Sequence, residues 1–558
     1  MSYQLLETPS APRRGPRLAT LARSRPTLVV LTLLLLAVVS LGHNKGAEAV
    51  SLRIQALKDW RAGGSLRDEE YKRPSREEVA RMVGKAPKYL VKDGWAAYGY
   101  NNQRYMLEST LILARIAGRI PIIPDAIWAR ACAGDSQTCR ENALLYLEDR
   151  NNHPELLKCK WNDDGEVWKI GIEHFLDLPH LRQTYGPFLT FSEFFDLYQL
   201  PSSIFDETQV WNASTYLLEG FSSATLSESL FQNRTFVRVD ESLPAPPTLD
   251  EGEREDKLSP SLVEKALGSK PAWTMEKARE ALKKAGGRVD SISDEALVQR
   301  LEMLGAVPLH TFSDEVLMNK AISRPVVEIA LRSKVQSLTT TLSAPSFADA
   351  DIVYLQGNLH DQRKPGGVYF TTADGRDEFI EMVLKGIRAP SRVRKVGALL
   401  SERMSAKVDG RRWVAAHLRR GDFVNIAWSP SKDPVVHFNK TKTLLDEGVT
   451  ELEKLYTDRL PQPDDPFYLA TDETNYTSLS YYRSRGAVLL SDLLLPSDLT
   501  VLGPTSSYSD VLAVVEQQVL AHSDYFVGSE LSSTSGGAVN GRLALGKPDW
   551  SWTLLKKG

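Results

Sequence analysis

Apolar and polar positions change rhythm along this chain, and each change marks an element. Residues 27–42 form an unbroken apolar run without a charge, the pattern of a helix that crosses a membrane. Residues 43–88 are mixed, charged and helix-prone, punctuated by Arg61-Ala-Gly-Gly-Ser and Lys72-Arg-Pro, and read as a stem. From Tyr89 the pattern is that of a globular body. A strand leads through the turn Gly94-Trp-Ala-Ala-Tyr-Gly-Tyr-Asn-Asn-Gln-Arg into a helix over 105–116, with Leu107, Leu111 and Ala114 at helical spacing, and then into a strand at Arg119-Ile-Pro-Ile-Ile-Pro. Residues 131–243 are loop-rich, aromatic and irregular, with Trp161, Trp168 and Trp211. A Pro-Ala-Pro-Pro stretch, an acidic run from Asp250 and charged helical segments over 275–284 and 294–304 set off 244–345 as a helical insertion.

A second α/β pattern starts at Asp351-Ile-Val-Tyr-Leu. Helices over 377–387 and 391–404 precede a buried strand at Trp413-Val-Ala-Ala-His, and further strands follow at Pro466-Phe-Tyr-Leu-Ala-Thr-Asp, which ends in polar residues, and at Ala487-Val-Leu-Leu. A helix over 510–521 leads to the last strand, Tyr525-Phe-Val-Gly-Ser, which runs into Glu-Leu-Ser-Ser-Thr-Ser. The expected fold class is therefore α/β: a cytoplasmic tail (1–26), a transmembrane signal-anchor (27–42), a stem (43–88), an N-terminal α/β domain (89–243), the insertion (244–345) and a C-terminal α/β domain (346–558). Two α/β units with a cleft between them make a doubly wound, two-domain body.

Composition changes this picture little. With 558 residues, 42% hydrophobic and 25% charged, the chain has material for two or three cores, and a net charge of -3 leaves no electrostatic footprint for nucleic acid. Arg13, Arg14, Arg17, Arg23 and Arg25 all precede the apolar run, so the N-terminus is expected in the cytoplasm and the body in the lumen. A run of this length spans about 24 Å as a helix, which suits a thin early-secretory bilayer. Ala47-Glu48-Ala49 has the small-x-small form of a signal-peptide cleavage site, but the long basic leader favours an uncleaved anchor. The expectation is a single-pass type II protein of the Golgi or endoplasmic reticulum membrane. Acceptor sequons at Asn212, Asn233, Asn439 and Asn475 all fall on the lumenal side. Cys132, Cys139 and Cys159 allow at most one disulfide, a local staple, and show no metal-ligand spacing.

Candidate chemistry concentrates at Trp413-Val-Ala-Ala-His-Leu-Arg-Arg-Gly-Asp-Phe. A buried strand that ends in His417, Arg419, Arg420 and Asp422 places paired guanidiniums where α/β sheets bind ligands, and the guanidinium fork matches phosphate. The competing reading is a strand end whose arginines pair with Asp422 and other acids. The turn carrying Asn101, Asn102 and Gln103 presents backbone N–H groups and amides at a helix start, as an anion site does, although Asn101 or Asn102 as a simple helix cap explains it as well. Asp349-Ala-Asp351 has the Asp-x-Asp form of metal-dependent transferases, yet it precedes its strand instead of following one and reads as strand capping. The Arg420-Gly-Asp triplet is a chance match to an adhesion motif.

Three islands, Gly99-Tyr-Asn-Asn-Gln-Arg, His417-Leu-Arg-Arg-Gly-Asp and Glu516 through Phe526-Val-Gly-Ser to Ser532-Ser-Thr-Ser, resemble the GDP-fucose O-fucosyltransferase superfamily, which includes the α1,6-fucosyltransferases. They occur in the family's order and touch both α/β units, while 240–350 matches nothing in it. The resemblance implies a GT-B-like fold of two Rossmann-like domains and inverting transfer from GDP-fucose to a hydroxyl of a glycoprotein or oligosaccharide, with no metal and no cofactor. It implies Arg419 on the donor diphosphate and Asn102 near the phosphates and the transferred sugar as the catalytic pair. His417 is implied at the nucleoside, with Arg420, Asp422, Ser532, Ser533 and Thr534 completing the donor set. Glu516 stands where relatives often carry an aspartate that reads guanine or ribose. Tyr98 stands where some relatives keep a base, so the base is unassigned. The rival readings are a metal-dependent GT-A transferase using another nucleotide sugar and a catalytically silent lumenal glycan- or nucleotide-binding protein.

Overall fold

The computed structural model describes residues 71–92, 99–129, 158–161, 165–200, 220–226, 236–238, 273–284, 291–313, 321–356 and 369–557, with Leu218, Lys265 and Val289 as isolated positions. The anchor at 27–42, most of the stem, Tyr98, Cys132, Cys139, Asn212 and Asn233 lie outside the described residues. Among the described residues no helix is long and apolar enough to cross a membrane.

Two five-stranded parallel sheets organise the body. In the first, β1 (Tyr89–Lys92) is central, flanked by β2 (Ile120–Ile123) and β5 (Ile352–Leu355), with β3 (Leu189–Thr190) beside β2 and β4 (Ser223–Leu226) beside β5. Every residue of β1 and of β5 is buried, and both are apolar but for Lys92 at the end of β1. That shared pattern hides which sheet β5 joins. Asp351-Ile-Val-Tyr-Leu does not open a second unit at 346; it returns to the first sheet, with Tyr89 opposite Ile352 and Leu90 opposite Val353. Asp351, at the strand's start, accepts hydrogen bonds from the Ser222 N–H at 2.8 Å and hydroxyl at 2.7 Å.

The second sheet has the order β8-β7-β6-β9-β10, with β6 (Val414–Leu418) central, β7 (Phe467–Thr471), β8 (Ala487–Val488), β9 (Tyr525–Ser529) and β10 (Trp552–Leu555). Numbered from β6, this is the 3-2-1-4-5 order of a Rossmann-type sheet. Strand alternation decides which side chain faces which layer. Val414, Ala416 and Leu418 pack with Phe438, Leu445 and Leu452 of α3 (Pro434–Leu455), while Ala415 faces the core that holds Val515 and Val519 of α4 (Ser509–His522). That second core is continuous with the first sheet: it contains Tyr89, Leu90 and Val353 as well as Phe526.

Helix α1 (Tyr100–Ile116) begins earlier than the periodicity suggests. Gly99 is its N-cap, with no side-chain cap hydrogen bond, so neither Asn101 nor Asn102 caps it; both lie in its first turn. Helix α2 (Ser391–Lys407) and helix α5 (Ser533–Ala544) complete the frame around the second sheet. The segment expected as a helix over 377–387 is an α-helix, Ala373–Glu381, that widens into a π turn, Met382–Gly386. Helix α3 escapes the periodicity reading, although Asp433 caps it by accepting from the Val435 and Val436 N–H groups and Pro434 opens it.

The insertion is not purely helical. Its helices, Met275–Lys284 and Asp294–Met303, pack on an antiparallel sheet of Trp273–Thr274, Ala306–Ser313 and Arg324–Leu331, and Leu282, Leu297, Leu301 and Ile329 form a core of their own. Part of the region read as irregular also forms a sheet, with Lys158–Trp161 and Ala126–Ala129 flanking Gly165–Gly171.

Candidate functional site

Helices that lead into parallel strands run antiparallel to them, so the helix N-termini gather at the carboxyl ends of the strands. Here α1 starts just after β1, α5 just after β9, and the Arg419-Arg-Gly-Asp loop just after β6. Residues more than 400 positions apart thereby meet. The Asn101 Nδ2 donates to Thr534 Oγ1 at 3.3 Å, the Tyr105 hydroxyl donates to the Ser533 carbonyl at 3.2 Å, and the Tyr100 N–H points at Asp510 Oδ1 at 3.3 Å. Gln517 Nε2 donates both to Asn101 Oδ1 at 2.8 Å and to the Thr534 carbonyl at 3.0 Å.

At the end of β6 the chain is pinned to β9. The Arg419 N–H donates to Ser529 Oγ at 3.1 Å, and the Ser529 hydroxyl donates to the His417 carbonyl at 2.8 Å. The Ser529 N–H donates to Ser535 Oγ at 2.9 Å, and that oxygen lies 2.8 Å from His417 Nδ1. The imidazole is buried against α5, and burial first, then the nearby Arg419 and His437, push its pKa down to about 3. His417 is therefore neutral, and its Nδ1 is engaged by the protein.

In the loop after β6, Arg419 and Arg420 have different surroundings. Arg419 is 27% exposed and pairs through one terminal nitrogen with Asp472 and through the other with Asp422, each at 2.6 Å. Its guanidinium lies 5.1 Å from the centre of the Phe423 ring. Arg420 is buried toward α3: its Nε donates to Glu473 at 3.3 Å, and its terminal nitrogens donate to the Ser431 and Lys432 carbonyls, each at 2.7 Å. These bonds fasten the loop that leads into α3. That is where the structure places Arg420, expected in the donor set: its side-chain nitrogens are engaged by Glu473 and two loop carbonyls. Asp422 is exposed and serves Arg419.

Asp472, at the end of β7, is the residue that sequence reasoning passed over. One oxygen accepts the Arg420 N–H at 2.6 Å and the other holds Arg419. Gly421 permits this contact: a Cβ there would stand 2.3 Å from Asp472 Oδ2. The signal was present in the run Phe-Tyr-Leu-Ala-Thr-Asp, a strand ending in an acid, but the pattern did not name its partner.

Glu516, on α4, accepts a hydrogen bond from the Tyr468 hydroxyl at 3.0 Å. Burial is the main cause that pushes its carboxyl up to about 8; the Tyr468 bond pulls it down and Asp472 pushes it up further. Burial thus favours its protonated form. Ser532 is the buried N-cap of α5 without a side-chain cap bond, and Ser533, Thr534 and Asn102 are half-buried in first turns, where helix N–H groups lack intrahelical acceptors. The structure thus gathers Asn102, Thr534, Ser533 and their neighbours at one pair of helix starts, and Arg419, Asp422 and Asp472 at the adjoining strand ends. His417 and Ser532 are buried beside them, and Arg420 is turned away.

Among solved structures, POFUT1 in complex with GDP aligns with 10% identity and a TM-score of 0.35, covering 85% of this chain and 99% of that one. POFUT1 in complex with GDP-fucose aligns with 9% identity and a TM-score of 0.34, again over 85% and 99% of the two chains. The sequence matches no protein-family model and no curated protein.

Proposed function

We propose that this protein is an inverting glycosyltransferase that moves L-fucose from GDP-fucose to a hydroxyl of a glycoprotein or oligosaccharide in the secretory pathway, without a metal. The observation that carries the reading is the meeting of the three family-like islands: Asn101 touches Thr534, Gln517 touches both, and the Arg419 backbone is held by Ser529 of the same β9–α5 turn. In this reading the diphosphate sits between Arg419 and the N-turns of α1 and α5. As the bond to fucose breaks, negative charge grows on the β-phosphate, and the Arg419 fork with the fixed N–H groups stabilises it as it forms. Arg419 must first loosen its pairs with Asp422 and Asp472, so donor binding exchanges internal carboxylates for phosphate oxygens. Asn102 stands at the transferred sugar and Glu516 at the nucleoside.

The test is to incubate purified protein with GDP-fucose, with and without excess chelator, and to measure GDP release. Release that persists in chelator supports the reading. Release that vanishes with chelator supports a metal-dependent transferase, and GDP-fucose binding without any turnover supports a silent binding protein.

A further inference from the structure

We infer that Asn475 carries an N-linked glycan and that Asn439 does not. The inference rests on the reading of this body as lumenal and goes beyond it, by choosing between the two Asn-x-Thr sequons that fall on described residues.

The two sequons are alike in sequence and opposite in structure. A sequon is used on a surface loop, where the asparagine amide and the hydroxyl two positions on can both be reached. Asn475 is the N-cap of the helix Tyr476–Ser484, at the end of the turn that follows β7. Asn475, Tyr476 and Thr477 are all exposed, Tyr476 by 58%. The amide of Asn475 has its two ends divided between fold and solvent. Its Oδ1 accepts from the Ser478 N–H at 3.2 Å, whereas its Nδ2, the atom that takes the sugar, donates to none of the described residues. An N-linked sugar leaves the amide oxygen in place, so the helix cap survives the modification. The turn itself is fixed from behind: Glu473 Oε1 accepts the N–H groups of Thr474 at 3.0 Å and Asn475 at 2.9 Å, while the other carboxylate oxygen holds Arg420.

Asn439 lies inside α3, and its Oδ1 accepts from the Tyr481 hydroxyl at 3.2 Å. Its side chain is exposed, so the obstacle is the second half of the sequon. Thr441 is 2% exposed, and its hydroxyl donates to the His437 carbonyl at 3.1 Å. Once α3 has formed, that hydroxyl is closed off, while the one on Thr477 stays open. In the transfer, Asn475 Nδ2 attacks the anomeric carbon of a lipid-diphosphate-linked oligosaccharide. The C–N bond forms as the bond from that carbon to the diphosphate oxygen breaks; the lipid diphosphate leaves with the electron pair, and the amide nitrogen gives up one proton to the transferring enzyme.

The test uses the full chain, made in a eukaryotic secretory host. Treatment with peptide:N-glycanase in heavy-oxygen water converts a glycosylated asparagine to a labelled aspartate, which peptide mass spectrometry reads at each sequon. Label is expected at Asn475 in most molecules and is not expected at Asn439. Thr477→Ala and Asn475→Asp both keep the helix cap, so each should lose one glycanase-sensitive step in mobility, with a Tm after glycanase treatment equal to that of the treated wild type. Thr477→Ser keeps the sequon and should keep the step. Label at Asn439 to the same extent as at Asn475, or an unlabelled Asn475, overturns the inference. Protease protection in intact microsomes separates that failure from failure of the lumenal reading. A protected chain with Asn475 unlabelled overturns the inference alone, whereas a protease-accessible chain with every sequon unlabelled overturns both.

Discussion

Two neighbouring arginines in the loop after Leu418, identical in type, sit in different surroundings, Arg419 part-exposed and Arg420 buried. Arg419 gives its fork to Asp422 and Asp472, and Arg420 gives its donors to Glu473 and the loop before α3. Arg419→Lys keeps the charge but loses the two-pronged geometry, so we expect kcat to fall by about 10²–10³ with a smaller loss of GDP affinity. Arg420→Lys should cost about 1–3 kcal/mol of stability, with GDP affinity near that of the wild type. Steady-state kinetics and thermal melts on both variants check this; turnover by Arg419→Lys at the wild-type rate refutes the clamp. Glu516 offers a second test, in pH. Its folded pKa of about 8 lies above its ordinary 4.5, so the folded chain holds that proton more tightly than the unfolded chain. The associated stability is complete below about 4.5 and is lost as pH rises toward and through 8. Glu516→Gln removes this slope, so its Tm relative to the wild type should increase from about pH 5 to about pH 9. Parallel Tm curves would show that Glu516 is ordinary.

At the scale of elements, the sequence makes buried parallel strands visible and leaves their sheet ambiguous. Phe467–Thr471 and Tyr525–Ser529 read as strands of the second unit and are, whereas Ile352–Leu355 has the same apolar character and belongs to the first sheet. Nothing local distinguishes them, because sheet membership is decided by crossovers. The site is legible where a strand end carries an unusual charge, as at Arg419, and illegible where the informative fact is a partner, as with Asp472 and Gln517. Helix α3 shows a further limit: its inner face includes His437, Thr441 and Gly448, which dilute an apolar stripe. Gly448 has a packing reason, since a Cβ there would sit 2.1 Å from the Tyr525 ring. Gly448→Ala therefore sets a small gain in helix propensity against a forced displacement of α3 from β9, and overpacking of this kind typically costs about 1–3 kcal/mol. Denaturant melts decide the sign: a variant more stable than the wild type would mean that the ring moves aside freely.

At the scale of the whole molecule, the two sheets share a core. Leu90 and Val353 of the first sheet belong to the same buried cluster as Val396 of α2, Val515 of α4 and Phe526 of the second sheet. The Asn101–Gln517–Thr534 contacts tie the same halves together. Two Rossmann-like units joined only by a hinge would unfold separately, whereas a common apolar cluster makes exposure of one half costly to the other. We therefore expect amides of β1 and β6 to lose hydrogen-exchange protection together as denaturant rises, in one cooperative transition. The insertion has its own cluster around Leu297, Leu301 and Ile329, and it reaches α5 through the Ile322 N–H, which donates to Asn540 Oδ1 at 3.1 Å. Because that cluster is separate from the shared core, its amides should open at lower denaturant than either sheet. Hydrogen exchange read by mass spectrometry separates these three regions in one experiment. If β6 opened well before β1, the shared cluster would not couple the sheets, and the cleft between them would be free to close on a ligand as a hinge.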